Sequence, residues 1–154
     1  MHGSTRLDGN PRTSRHDAVK MLLATHARQE GWDVVVEPKN LAARNKSRPD
    51  IIFARSGVRL ATDVAVGYEA RARSRAEFLE SLAKSKIESW ANLEQRGFRF
   101  VPFVVGQTGC LHRSAEELLA ALFPSARRPE VIDAVRAAVA EGNAEVFAAA
   151  AGRL

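Results

Sequence analysis

The sequence predicts an α/β or α+β fold: a small mixed sheet with helices packed against it. Two stretches with helical apolar periodicity, about residues 15–30 and 75–96, are separated by short runs rich in Val, Ile and Phe. Between two of those runs stands Ser56-Gly57, which suits a two-residue hairpin turn. The chain has 154 residues, of which 45% are apolar, enough for one domain with its own core. Helices bracketing a strand hairpin describe a layered mixed fold.

Residues 1–13 are rich in Gly, Ser, Pro and Arg without apolar periodicity and read as a flexible tail. From Ser14, a candidate cap, Val19, Leu22, Leu23, His26 and Ala27 share one helical face, and Gly31 is a stop. Val34 to Val36 form a first strand, followed after Glu37-Pro38 by a basic loop to Arg48. Residues 50–55 and 58–66 form an antiparallel hairpin around Ser56-Gly57. A capping-box pair, Ser74 and Glu77, opens the second helix, which Gly97 ends. Phe98 to Val105 is a further strand, and Ser114 with Glu117 caps a helix to Phe123. Pro129 starts a helix with an apolar face of Val131, Ile132, Val135, Ala138 and Val139, and Ala144 to Ala151 reads as a separate closing helix.

One cysteine, Cys110, excludes a disulfide scaffold and a Cys-clustered zinc site, and points to a reducing, intracellular setting. Its neighbour His112 would permit a thiol nucleophile, but a small residue packed after a turn is the simpler account. No apolar run reaches the ~20 residues a membrane span needs. The net charge of +5 is local: residues 39–75 carry nine Lys and Arg against three acids, so this segment alone exceeds the whole chain. Such a segment suits a polyanion, with nucleic acid first, because neutralised phosphates release counterions. A solvated Arg-rich loop is the alternative that charge leaves open.

The hairpin turn sets a register in which Asp50 lies opposite Asp63. Opposed residues have Cβ atoms about 4.5–5.5 Å apart, and like charges there destabilise unless something compensates. A divalent cation held by hard oxygen ligands is one compensator, with the chemistry of Mg²⁺ in phosphodiester hydrolysis. The other account makes Asp50 a turn residue after Pro49 and pairs Asp63 with a nearby Arg. On the second helix, stepping about 100° per residue from Leu79, Lys86 falls near 340°. That is between Leu82 near 300° and Trp90 near 20°, whereas Lys84 falls near 140° on the opposite side. Lys86 therefore lies on the sheet-facing stripe, where its ammonium either reaches Asp50 and Asp63 or snorkels to solvent at the helix edge. Ala65, on the same strand face as Asp63, leaves space beside them. His16 approaches the pair if the first helix packs there.

Arg48-Pro49-Asp50, twelve residues, then Asp63-Val64, resembles the PD-(D/E)xK nuclease superfamily. More specifically it resembles the restriction-like endonuclease domain of site-specific non-LTR retrotransposons, in which the lysine has moved onto the following helix. Arg15-His16-Asp17, the segment from Gly31 to Pro38 and Val101-Pro102-Phe103-Val104-Val105 extend the resemblance over residues 14–120. It implies a restriction-endonuclease-like core, order αβββαβ, over residues 14–123, with extra C-terminal helices over 124–154. It implies a metal-dependent DNA endonuclease in which Asp50 and Asp63 bind Mg²⁺, or Mn²⁺ in its place. Lys86 would be the catalytic lysine, standing in for the position now occupied by Ala65, and Glu37 an accessory acid. Lys46, Arg48, Arg71, Arg73 and Arg75 would contact DNA. A zinc knuckle and a reverse transcriptase, which retrotransposon proteins carry, do not fit in this length, so a free-standing nuclease, a piece of a larger protein and a decayed copy stay open. So do a catalytically inactive nucleic-acid-binding module, a helical interaction protein, and the oligomeric state, a homodimer included.

Overall fold

The computed structural model describes residues 11–38, 48–67 and 75–151 of the chain. In order these form α1 (Pro11–Gln29), β1 (Asp33–Val36), β2 (Ile51–Arg55), β3 (Val58–Thr62), β4 (Val64–Gly67) and α2 (Arg75–Ser89). A 3-10 helix (Ala91–Arg96), β5 (Arg99–Phe100), β6 (Phe103–Gly106), α3 (Arg113–Leu122) and α4 (Arg128–Ala151) follow. This is a mixed α+β architecture. A four-stranded sheet has the order β1-β2-β3-β5, and β4 and β6 form a second, two-stranded sheet.

The hairpin has the register its turn specifies, with Ile51 opposite Thr62 and Arg55 opposite Val58. Ser56 and Gly57 have φ of +50° and +83°, and two positive φ angles match the right-handed twist of the flanking strands. The Ile51-Ile52-Phe53 run serves two cores. Ile51 and Phe53 face the larger one, built with Val19, Leu23, Phe103, Leu118, Leu122, Val131 and Val135 from the helices and β6. Ile52 faces a smaller one with Ala61, Trp90, Leu93 and Phe98.

Several elements depart from the sequence expectations. The first helix starts at Pro11 rather than near residue 15, so Ser14 lies inside it and the expected tail loses its last three residues to the helix. Proline suits a first helical position, where its missing N–H has no intrahelical partner to lose. The strand expected over 58–66 is interrupted at Asp63, and the strand expected over 98–105 is interrupted at Val101-Pro102. Pro102 donates no hydrogen bond, so a continuous parallel ladder cannot form there. Three bonds span the gap instead: Val101 N to Ala61 O at 3.0 Å, Phe103 N to Asp63 O at 2.9 Å, and Thr62 Oγ1 to Val101 O at 2.6 Å.

The second helix ends at Ser89 instead of 96 and tightens into the 3-10 turn that Gly97 closes at φ +86°. The cap of α3 is His112, whose side chain accepts from Ser114 N; Ser114 itself is inside the helix. The two helices expected after Pro129 are one. Gly142 and Asn143 do not interrupt it: a Cβ on Gly142 would lie 2.5 Å from Arg15 Cβ, and Arg15 bonds Asn143 Oδ1. Among the described residues no helix is long and apolar enough to cross a membrane.

Candidate active site

The break at Asp63 is also where carboxylates gather. β2 begins only at Ile51, so β4 has no neighbour from that hairpin, and the side chain of Asp50 takes its place: Val64 N donates to Asp50 Oδ2 at 2.8 Å. Asp63 reciprocates, its Oδ1 accepting from Asp50 N at 3.0 Å. The two carboxylates thus hold backbone amides across the end of the hairpin, Asp63 that of Asp50 and Asp50 that of Val64, with the side chains of Asp50 and Asp63 20% and 10% exposed.

From α2, Lys86 Nζ lies 3.5 Å from Asp63 Oδ2, while Lys84 is exposed. One turn on, Trp90 Nε1 donates to the same oxygen at 2.7 Å. From α1, His16 stands between two acids, with Nε2 3.1 Å from Asp50 Oδ2 and Nδ1 3.2 Å from Asp17 Oδ1. Lys20, one turn further, is almost fully buried and reaches Glu37 Oε2 at 2.9 Å and Asp17 Oδ1 at 3.4 Å. Glu37, at φ +55°, also accepts from Arg48 at 3.3 Å. Its backbone N–H donates to Asp50 O at 2.7 Å, but its carboxylate turns to these cations and does not join Asp50 and Asp63 as a third acid.

The electrostatics of the two aspartates diverge. Burial pushes both carboxyls up; for Asp50 the hydrogen bonds from His16 and the Val64 amide outweigh it and hold the group below its ordinary range. For Asp63, burial and then the Asp50 charge prevail over Trp90 and Lys86, and the group is raised. The hydrogen bond to Asp50 raises His16 against burial. Burial works against the charge of Lys20, yet its bond to Glu37 and the charges of Asp17, Glu37 and Asp50 leave it raised.

Among the described residues no three His, Cys, Asp or Glu side chains are arranged to hold a metal. Two carboxylates remain as hard oxygen donors, a set suited to an ion that keeps most of its water. Burial first, and the like charge of Asp50 second, disfavour the ionised form of Asp63.

No family model matches the chain. It is similar to a retrotransposon protein. Over 178 aligned positions it is 30% identical to the Retrotransposable element SLACS 132 kDa protein of Trypanosoma brucei gambiense. The match takes in 99% of this chain but 15% of that protein, so the chain spans about a seventh of the relative's length.

The structure therefore brings Asp50, Asp63 and Lys86 together and sets Glu37 and Arg48 beside them. Lys46, Arg71 and Arg73 lie outside the described residues, and Arg75 opens α2 with its side chain outside them. Sequence reasoning missed Lys20, Asp17 and the polar contact of Trp90. The first two were accessible in principle, since His16 and Lys20 are four apart and share a helix face. Trp90 was assigned to the apolar stripe, where periodicity says nothing of an indole N–H.

Proposed function

We propose that this chain is a Mg²⁺-dependent DNA endonuclease domain of PD-(D/E)xK type, related to the restriction-like endonuclease domain of site-specific non-LTR retrotransposons. The observation that carries this reading is the pair of partly buried, mutually repelling carboxylates with a helix-borne lysine 3.5 Å from one of them. The similarity to a retrotransposon protein supports it independently. The αβββαβ order of the restriction-endonuclease core belongs to the same reading, with the third and last strands each split in two.

Asp50 and Asp63 would hold the ion, Mg²⁺ or Mn²⁺, which when bound lowers the pKa of water and offsets charge on the phosphate. Lys86 is placed to orient the attacking water or to stabilise negative charge developing on the phosphorus oxygens. The basic residues of the 39–75 segment, Lys46, Arg48, Arg71, Arg73 and Arg75, would hold the phosphate backbone, which fixes position without reading sequence. Glu37 acts indirectly, by holding Lys20 and Arg48 near Asp50. Such a domain works on DNA inside the cell.

Incubation with supercoiled plasmid and with single-stranded DNA, in Mg²⁺, Mn²⁺ or EDTA, tests the reading. Metal-dependent strand cleavage is the expected result. Salt-sensitive binding without cleavage selects a non-catalytic nucleic-acid module instead, and absence of both selects an interaction protein.

A further inference from the structure

Trp90 is 3% exposed and is locked by its neighbours: its ring is tilted against Phe100, centroids 6.3 Å apart, and packs with Ile52, Ala61, Leu93 and Phe98. A buried indole N–H needs an acceptor, and most find a backbone carbonyl; Trp32 does so, donating to Leu122 O at 2.9 Å. Trp90 instead donates to Asp63 Oδ2. With Asp50 N on Oδ1, both oxygens of Asp63 receive a donor fixed to the fold, one from the hairpin end and one from the second core. Two donors on the two oxygens fix the plane of a carboxylate, while Oδ1 keeps lone-pair capacity for a further partner and Oδ2 also faces the Lys86 ammonium.

The helix terminus makes this alignment. Trp90 N bonds Lys86 O at 3.2 Å and Ile87 O at 3.3 Å, then the chain leaves α-geometry, with Leu93 N on Trp90 O. The tightening into a 3-10 turn occurs directly after the residue that must point at Asp63. The same helix end thus brings an ammonium, Lys86 Nζ, and a buried indole N–H, that of Trp90, to one oxygen.

We propose that Trp90 is a positioning residue for Asp63, holding that carboxylate in the orientation that binds a divalent cation. This rests on the metal-site reading above. Partners of metal ligands are worth about 10- to 100-fold in metal affinity. Trp90→Phe, which keeps the ring packing and removes the N–H, should weaken Mn²⁺ binding to DNA-free protein, measured by calorimetry, by about 10-fold or more. The Mn²⁺ concentration for half-maximal cleavage should rise equally, while the rate at saturating Mn²⁺ stays within about threefold of wild type. Trp32→Phe should leave Mn²⁺ affinity unchanged. If Trp90→Phe does not fold, benzothienylalanine at position 90, with sulfur replacing the N–H, is held to the same criteria. A folded variant with wild-type Mn²⁺ affinity overturns the role of Trp90 alone. Wild-type protein that takes up no Mn²⁺ and cuts no DNA overturns the metal site and this inference together.

Discussion

At the start of α3, His112 sits between Ser114 and Glu80; at the sheet break, His16 sits between Asp17 and Asp50. In the first place every polar atom has a structural duty. His112 Nδ1 accepts from Ser114 N at 3.0 Å and Nε2 faces Glu80 Oε1 at 2.6 Å, so the ring caps a helix and ties it to α2. Glu80 is exposed, accepts a hydrogen bond from His112 and lies near the cations Arg113 and Lys84, and its carboxyl is lowered, chiefly by the His112 hydrogen bond and then by Arg113. In the second place, the acids are buried and satisfying the backbone brings them together, and Asp63 is raised, by burial first and by the Asp50 charge second. An exposed carboxylate among donors and cations is eased into its charged form, whereas a buried one beside a like charge is pushed away from it.

The contrast breaks most directly at the acids. Asp50→Asn or Asp63→Asn should abolish plasmid cleavage, measured in Mg²⁺, and leave salt-sensitive DNA binding in place. Cleavage at the wild-type rate by either would remove the reason for distinguishing the two places. Asp63→Ala should in addition destabilise by about 1–3 kcal/mol in denaturant unfolding, since the Trp90 indole loses its acceptor in a buried site.

Lys86→Ala should slow single-turnover cleavage at saturating DNA by about 100-fold, whereas Lys84→Ala leaves it unchanged. Equal rates for the two variants would return Lys86 to the role of a surface lysine. For His112 the effect is on folding alone: His112→Ala should cost about 1 kcal/mol as a lost cap, His112→Asn should restore most of it, and neither should alter cleavage.

The smallest effect is in pH. Because Asp63 is raised in the folded state, the folded protein holds that proton more tightly than the unfolded chain. The stability this proton contributes is therefore fully present below the unfolded pKa and is lost as pH rises through the folded one. In metal-free protein, thermal unfolding of wild type relative to Asp63→Asn should show this loss above the ordinary aspartate range, and Mg²⁺ should reverse it in wild type only. A wild-type curve parallel to that of the variant would place Asp63 with Glu80.

The parts of the site that the sequence made legible are those governed by local geometry. A two-residue turn sets the pairing of every residue back to Asp50 and Asp63, and a helical period separates Lys86 from Lys84. What escaped depended on partners remote in the chain. Asp63 looks like one more strand residue until Pro102, 39 positions later, interrupts the neighbouring strand beside it. Gly142 looks like a helix break until Arg15 is found filling the space above it. Ser114 has capping chemistry, but His112, two residues earlier, accepts from the backbone N–H of Ser114 itself and so starts the helix sooner.

Gly67, at the end of β4, gives the site a tolerance it does not control itself. A Cβ there would stand 2.8 Å from Phe78 Cε2 and 2.9 Å from Leu79 Cδ2, so α2 rests against bare backbone. Leu79 and Lys86 ride on one rigid rod, seven residues apart. The single missing methyl works as a shim of zero thickness: a methyl at Gly67 would have to displace the ends of the Phe78 and Leu79 side chains, on the same rod that carries Lys86 to 3.5 Å from Asp63. The helix that carries this lysine is seated on a residue with no side chain.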